Sequence, residues 1–166
     1  KIIFVNKPLF ESLPKKMRKE VKGKYDIILN GIEIDYKYKQ IDVYKKYNIK
    51  EDDIIIFHPA RFVPEKNHFR IINSINLLVD KEKKIKLLLA GDGELENDIK
   101  KQIKNLKLES NVIMLGVLHL DEIYNFLKKI NLFIMPSKSE GLNIAFLEAI
   151  SMGCNIVVSN IDQFTY

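Results

Sequence analysis

The sequence has only one cysteine, Cys154, which excludes an internal disulfide and is typical of a protein from a reducing compartment. It also lacks any uninterrupted apolar stretch as long as a membrane-spanning helix. The opening apolar run, IIFV, is too short for the core of a signal peptide. With 166 residues, 46% hydrophobic and 30% charged, the chain is expected to be a cytoplasmic globular protein of ordinary size.

Several common ligand sites are absent as well. No GxxxxGK[ST] sequence occurs, and in AGDGELE a glutamate, Glu96, stands where a dinucleotide fingerprint has its third glycine. These observations exclude the standard ATP and NAD interpretations. Gly91 and Gly93 are interpreted instead as permitting a turn and a close approach of the backbone.

No cluster of His, Cys and Asp has metal-ligand spacing, so no metal site is predicted. The three histidines lie far apart in the sequence, and each is interpreted as structural rather than catalytic. They are His58, His68 and His119.

Charge is distributed unevenly along the chain. Residues 1–24 contain eight Lys or Arg against two Glu, whereas the rest of the chain holds 19 basic and 20 acidic residues. The segment PLFESLPKKMRKEVKG places apolar residues at helical spacing beneath a basic face. It is interpreted as a solvated helix with one buried stripe, with contact to an anionic membrane surface as the alternative. The nearly neutral body disfavours a nucleic-acid binder.

Short apolar runs alternate with helical patterns, which predicts an α/β fold: a Rossmann-like parallel sheet with helices on both faces. The predicted strands are Ile2–Val5, Asp26–Leu29, Ile54–Phe57, Ile85–Ala90, Asn111–Leu115, Leu132–Met135 and Asn155–Val158. The predicted helices are Asn67–Asp80, Glu94–Leu106, Asp121–Ile130 with Asp121 as N-cap, and Leu142–Met152 closed by Gly153.

Ligands of open parallel sheets bind outside the carboxyl ends of the strands. Four loops follow predicted strands at that edge and are expected to converge there: HPARFVPEKN, AGDGE, LGVLHLD and PSKSEGLN. In the first loop Arg61 and Lys66 precede a helix, and both residue types bind phosphate oxygens. The alternative for either residue is a surface ion pair, for instance with Glu65. Opposite a helix N-terminus, the two together favour a diphosphate ligand.

Two acids, Glu140 and Glu148, mark the fourth loop and the helix after it. Gly141 is expected to end that loop and Leu142 and Asn143 to open the helix, whose free N–H groups would bind an anion. Glu148 is the only charged residue of an otherwise apolar helix, and burying it ionised is costly unless it is hydrogen-bonded. A ribose diol would supply two hydroxyl donors. Pairing with a lysine or with backbone is the alternative.

These segments, in this order, resemble the retaining glycosyltransferases of family four (glycosyl transferases group 1). The resemblance extends over essentially the whole chain, from IILNGIEID to the end, and two glutamates with seven residues between them are its most specific element. It implies one half of a GT-B enzyme with two Rossmann-like domains. Residues 1–29 would be the tail of the N-terminal acceptor domain or a linker, and residues 30–166 the nucleotide-sugar-binding domain, truncated at its C-terminus.

The resemblance implies sugar transfer from a nucleotide-diphosphate sugar of UDP or GDP type, without a metal or cofactor. Arg61 and Lys66 would hold the diphosphate and Glu148 the ribose. Glu140 would be the catalytic residue beside the reacting carbon of the sugar, and Gly116–Val117 would lie beside the base. The implied nucleotide-sugar-binding residues are Arg61, Lys66, Gly141, Leu142, Asn143, Glu148, Gly116 and Val117.

The acceptor implied by the resemblance is a saccharide or a lipid-linked acceptor, in surface polysaccharide or glycolipid synthesis on the inner face of the plasma membrane. Ala60 stands where the family often has glycine, which narrows the freedom of that loop. The family's acceptor domain, with its catalytic histidine, lies outside this chain, so the fragment is expected to bind weakly and to transfer slowly or not at all. The alternative function is a non-catalytic nucleotide-sugar-binding or partner-binding module.

Overall fold

The computed structural model describes residues 1–5, 7–29, 31–33, 36–141 and 143–161, with the main chain alone at positions 8 and 9. Its first part contains β1 (Ile2–Phe4), α1 (Lys7–Glu11), α2 (Lys15–Val21) and β2 (Tyr25–Ile27). Its second part contains α3 (Val43–Lys46), β3 (Ile54–Pro59), a 3-10 turn (Pro64–Lys66), α4 (His68–Leu78), β4 (Ile85–Ala90), α5 (Glu96–Asn105), β5 (Val112–Gly116), α6 (Leu120–Lys129), β6 (Leu132–Met135), α7 (Ile144–Ser151) and β7 (Ile156–Val158).

The main sheet has five parallel strands in the order β5-β4-β3-β6-β7, and β1 pairs with β2, also in parallel, in a separate two-stranded sheet. The chain enters the main sheet at its centre, builds outward to β5, and then crosses to the other side of β3 to form β6 and β7. Strand order therefore reverses between β3 and β6, and the crevice at their carboxyl ends is where such sheets bind ligands. The predicted α/β class and all seven predicted strands are confirmed, with ends that differ by at most two residues.

Each face of the main sheet is covered by its own apolar layer. On one face Phe57 and Phe133 pack with Phe126 of α6, and the rings of Phe57 and Phe126 stack at 5.3 Å. On the other face Leu87 packs against Ile71 of α4 and its neighbours. Burial on both faces explains why these strands read as continuous apolar runs.

The predicted N-cap of α6 is wrong. The helix begins at Leu120 with His119 as its N-cap, and the Glu122 carboxylate accepts a hydrogen bond of 3.3 Å from the His119 main-chain N–H. Asp121 lies inside the first turn instead. Its carboxylate accepts hydrogen bonds from the Tyr36 hydroxyl and from the Lys39 N–H, both in the connector of residues 36–42 that precedes α3. The Asp121 side chain, which the local pattern assigned to capping, thus binds residues far from it in the sequence instead.

The single basic helix expected near the N-terminus is two short helices, because Pro14 cannot continue α1 and instead forms the N-cap of α2. No residue of α2 is buried, so the expected buried stripe is absent from it, and Met17 is 48% exposed. None of the helices in the described part of the chain combines the length and apolarity needed to cross a membrane.

Candidate functional site

The loops that follow the strands meet at one edge of the sheet, as predicted. Beyond β3, the Phe62 N–H donates to the Asp92 carbonyl of the loop after β4, at 2.6 Å. Across the switch point, the Lys138 N–H of the loop after β6 donates to the Glu65 carbonyl, at 2.8 Å. These bonds join three loops into one surface beside the crevice between β3 and β6.

Glycines 91 and 93 allow this close packing, which confirms their interpretation. Both have positive φ angles, 134° at Gly91 and 148° at Gly93. A Cβ atom at Gly91 would lie 2.3 Å from the Ala60 carbonyl oxygen, and one at Gly93 would lie 2.7 Å from the Phe62 carbonyl oxygen. Since both neighbours are backbone atoms, a side chain at either position would separate the loops.

At the switch point Lys66 and Glu140 form a buried ion pair. Their side chains are 14% and 4% exposed, and the Lys66 ammonium lies 2.6 Å from both carboxylate oxygens of Glu140. The Ser137 hydroxyl and the Asn143 amide also donate to this carboxylate, the amide at 3.1 Å. Three donors from three positions hold Glu140 in one orientation.

The sequence interpretation missed this arrangement. It gave Lys66 either a phosphate or an ion pair with Glu65, and it did not include Ser137 at all. Ser137 is the second residue after β6 and is almost completely buried. Its place in the sequence, directly after a strand that ends at the crevice, is the one signal that marks it.

Arg61 is placed differently from Lys66. It lies in the exposed start of the loop after β3, and no ion pair or hydrogen bond of its guanidinium is found within the described residues. The two cations expected to act together thus differ: Lys66 is buried and paired with Glu140, whereas Arg61 is exposed.

The turn that carries Lys66 is tied to the loop after β6. Asn67 has a positive φ of 60°, and its side-chain amide donates to the Pro136 carbonyl at 3.1 Å. Together with the bond between Lys138 and Glu65, this contact joins the two loops on both sides of Lys66.

The helix that carries Glu148 is shorter at its start than predicted. It begins at Ile144, and Asn143 is its N-cap, with the Asn143 side chain accepting from the Phe146 N–H at 3.3 Å. Gly141 is exposed in the preceding loop, while Leu142 lies outside the described residues. The predicted end is confirmed: Gly153 has a φ of 70° and its N–H donates to the Ile150 carbonyl.

Glu148 is buried, as expected, with 6% of its surface exposed. Burial raises the pKa of its carboxyl, and the Glu148 charge in turn adds to the rise that burial causes in the pKa of Tyr124. Within residues 36–141 and 143–161, no hydrogen bond or ion pair reaches the Glu148 carboxylate. The alternative of a lysine or backbone partner therefore finds no support among these residues.

The remaining predicted positions are brought to the same edge. Gly116 ends β5 with a φ of 69°, and the Gly91 N–H donates to its carbonyl at 2.8 Å. Val117 follows and is largely exposed. Among the residues that the structure describes, no group of three or more His, Cys, Asp or Glu side chains is placed to hold a metal ion.

Comparison with known proteins gives a consistent family. The model of the glycosyl transferases group 1 family matches residues 40–165. The chain is 32% identical over 144 residues to the O-antigen biosynthesis glycosyltransferase WclY of Escherichia coli, covering 86% of this chain and 39% of that protein. It is 31% identical over 150 residues to the UDP-Gal:alpha-D-GlcNAc-diphosphoundecaprenol alpha-1,3-galactosyltransferase of the same species, covering 84% and 37%.

Among solved structures, the fold is similar to that of Anabaena Alr3699/HepE in complex with UDP-glucose, with a TM-score of 0.73. The two are 19% identical, and the match covers 85% of this chain and 40% of the other. The chain thus spans about two fifths of the length of each of these proteins.

Proposed function

The chain belongs to the glycosyl transferases group 1 family, and we propose that it is the part that binds the nucleotide-diphosphate sugar. The whole protein would transfer the sugar to a saccharide or lipid-linked acceptor, in surface polysaccharide or glycolipid synthesis. WclY acts in O-antigen biosynthesis and the galactosyltransferase uses a diphosphoundecaprenol acceptor, which supports this substrate class. Retention of the anomeric configuration belongs to the same proposal.

The observation that carries the proposal is the buried carboxylate of Glu148 without a partner among the described residues. A buried charge of this kind is costly unless donors offset it, and the chain supplies none within the described part. The two hydroxyls of a ribose are suitable donors, because a carboxylate can accept from both. Glu148 is therefore assigned to the ribose of the nucleotide.

The diphosphate is assigned to Arg61, Lys66 and the main chain of residues 141–143. Arg61 is exposed, and its guanidinium can form two parallel bonds with phosphate oxygens. Lys66 lies at the switch point, paired with Glu140, and its charge is assigned to the sugar end of the ligand. Its role is electrostatic: stabilising negative charge on the departing diphosphate without a metal.

Glu140 is assigned to the sugar, as the catalytic residue beside the reacting carbon. Its three hydrogen-bond donors fix the carboxylate before any ligand arrives, which is what an oriented catalytic group requires. Gly116 and Val117 are assigned to the base. A uridine nucleotide is favoured over a guanosine nucleotide, since HepE binds UDP-glucose and the galactosyltransferase is named for UDP-Gal.

The experiment that tests this function is a binding panel of UDP, GDP and ADP sugars, read by saturation-transfer NMR and titration. We expect one nucleotide class to bind, and Glu148→Ala to weaken it by roughly 10-fold to 100-fold, since hydrogen bonds to a charged group are lost. Glu51→Ala is the control, because Glu51 is exposed and precedes β3, at the opposite edge of the sheet. The proposal is contradicted if the unchanged protein, Glu148→Ala and Glu51→Ala bind the nucleotide sugar equally well, or if the unchanged protein binds no nucleotide sugar.

Transfer by the isolated chain is expected to be slow or absent, because water exclusion and the acceptor site require the rest of the protein. Robust turnover by the 166 residues alone contradicts this expectation. Selective nucleotide binding by the full-length protein, without transfer to any acceptor, would favour a non-catalytic binding module instead.

We also propose that the protein acts in the cytoplasm, at the inner face of the plasma membrane. The support is the exposed basic surface of α2, whose charges would attract anionic lipid at about 1 kcal/mol per residue. Neutralising its three lysines is expected to weaken binding to phosphatidylglycerol vesicles: Lys15, Lys16 and Lys19. The matched control neutralises three lysines of α5: Lys100, Lys101 and Lys104. Equal loss in both variants would mean that only net charge matters.

A further inference from the structure

Two histidines lie together in the interior, next to the turn that carries Lys66. His58 is on β3, His68 is the first residue of α4, and neither has exposed surface. Their ring centroids are 4.7 Å apart in an edge-on arrangement. Neither has a role in the nucleotide-sugar site described above.

His58 connects the two strands at the switch point. The backbone pairing of β3 with β6 is confined to Ile56–Phe57, although β3 continues to Pro59. Beyond that point the His58 side chain connects the two strands, because its Nδ1 lies 2.7 Å from the Ile134 carbonyl oxygen. A carbonyl oxygen only accepts, so Nδ1 carries the proton and Nε2 is left with its lone pair.

Packing alone does not account for histidine at these positions. His58 Nε2 and both ring nitrogens of His68 have no hydrogen-bond partner among the described residues. An unpartnered buried nitrogen costs about 1–3 kcal/mol, which a phenylalanine or leucine would avoid. His58 offsets part of this cost with its bond to the Ile134 carbonyl, which an apolar side chain could not make.

The charge that reaches both rings is that of Lys66. Burial is the main reason that the pKa of His58 falls to about 4 and that of His68 to about 3, and the Lys66 ammonium lowers both further. Both rings are thus neutral at physiological pH. The Lys66 main chain also lies close enough to His58 to act on its pKa in the opposite direction.

We propose that His58 and His68 are positioning residues: a neutral imidazole pair that fixes the Lys66 turn, so that the Lys66 ammonium meets Glu140 at the crevice. His58 joins β3 to β6 through the Ile134 carbonyl, and His68 anchors the start of α4, just after the turn, against the His58 ring and Phe62. Both side chains are completely buried, so neither is expected to touch the ligand. The expected consequence for nucleotide binding rests on the proposed function, whereas the consequence for Lys66 does not.

The first test measures UDP affinity by calorimetry in the full-length protein. His58→Leu is expected to weaken UDP binding by about threefold to tenfold, the range for one lost hydrogen bond. His68→Ala, which removes the ring that packs against His58 and Phe62, is expected to weaken it as well. His58→Asn is the matched variant, because the asparagine amide can take the place of Nδ1–H and keep the bond to Ile134. We expect it to restore most of the affinity. Equal losses for the leucine and asparagine variants overturn the proposal.

A double-mutant cycle separates positioning from general damage. In a Lys66→Met background, where there is no ammonium left to position, His58→Leu is expected to change UDP affinity by about twofold or less. The same loss with and without Lys66 would mean that His58 does not act through it, and the proposal fails.

The second test needs no nucleotide. With ¹⁵N-labelled lysine, the Lys66 ammonium is identified as the signal that disappears in Lys66→Met, and its ion pair with Glu140 should slow hydrogen exchange. His58→Leu should broaden or shift this signal, and His58→Asn should leave it near its original position. An unchanged Lys66 signal in His58→Leu overturns the proposal. A changed signal in a protein that binds no UDP would reject the proposed function and keep the positioning role.

Discussion

Glu140 and Glu148 are both buried, with only seven residues between them, but their surroundings are opposite. Glu140, in the loop after β6, accepts hydrogen bonds from Lys66, Ser137 and Asn143. Glu148 lies on the face of α7 and has no such donor among the described residues. A carboxylate whose donors come from the protein is oriented in advance, whereas a buried carboxylate without donors reduces stability until a ligand provides them.

The largest effect on stability is expected from removing the Lys66 ammonium, which is paired with Glu140. Lys66→Met leaves Glu140 buried without its counter-ion and should lower the free energy of unfolding by about 3–5 kcal/mol, as for other broken buried pairs. Urea denaturation measures it. The control is Lys100→Met, because the Lys100–Glu96 pair is exposed and should contribute less than about 1 kcal/mol. Adding Glu140→Gln to Lys66→Met should recover much of the loss; no recovery would mean that Glu140 is not the destabilised group.

Acid is expected to have opposite effects on stability through the two histidines beside the Lys66 turn and through Glu148. The lowered pKa values of His58 and His68 mean that the unfolded chain binds protons first, so stability falls as the pH drops from 6.5 towards 4. The raised pKa of Glu148 means that its folded form is protonated first, so this region gains stability as the pH drops towards 4.5.

Each unit of pKa difference corresponds to about 1.4 kcal/mol, so the two histidines should outweigh Glu148 and we expect a net loss of several kcal/mol between pH 7 and pH 4. Denaturation curves across this range measure it. His68→Phe should flatten the dependence and Glu148→Gln should steepen it, so the same slope in both variants would contradict the assignment.

Neutralising Glu148 should raise the stability of the fold while weakening UDP binding. Glu148→Gln removes a desolvated charge and keeps the shape of the side chain, so we expect a gain of about 1 kcal/mol in the free energy of unfolding. UDP binding should weaken in the same variant, because a neutral amide is a poorer acceptor for the ribose hydroxyls. Thermal melting with and without UDP measures both effects. A variant that is both less stable and unchanged in UDP binding would mean that Glu148 is a structural acid.

The smallest effect is expected at Asn143, which belongs to both regions. Its side-chain oxygen caps α7, and its amide donates to Glu140. Asn143→Ala should cost about 1 kcal/mol for the lost cap. Asn143→Asp keeps the cap but places a like charge beside Glu140, so it should be no more stable than the alanine variant. Urea denaturation of the two variants decides this, and a fully stable aspartate variant would mean that the contact with Glu140 is unimportant.

The strands were predictable because their signal is local. Runs such as Leu87–Ala90 are apolar throughout, which is typical of a strand covered on both faces. The end of α7 was predictable for the same reason, since Gly153 takes a conformation that favours glycine. The break at Pro14 was also written in the sequence, but the helical spacing around it was given more weight than the missing N–H group.

The location of the candidate site was predictable, but neither Ser137 nor the pairing of Lys66 with Glu140 was predicted. The order of strands and loops was enough to place the loops that carry Arg61, Lys66 and Glu140 at one edge, because parallel strands end at a common edge. The division of the assignments at residues 29 and 30 stays a prediction, as do the individual contacts with the ligand.

The sequence by itself determined the α/β class, the edge at which the loops meet and the residue types available there, because these follow from hydrophobic period and chain order. Only the tertiary structure decided that Lys66 pairs with Glu140, that Asp121 is taken by the connector, and that His58 and His68 meet. Such contacts join residues 10 to more than 80 positions apart in the chain. Their geometry depends on how the strands and loops pack, and no local pattern encodes it.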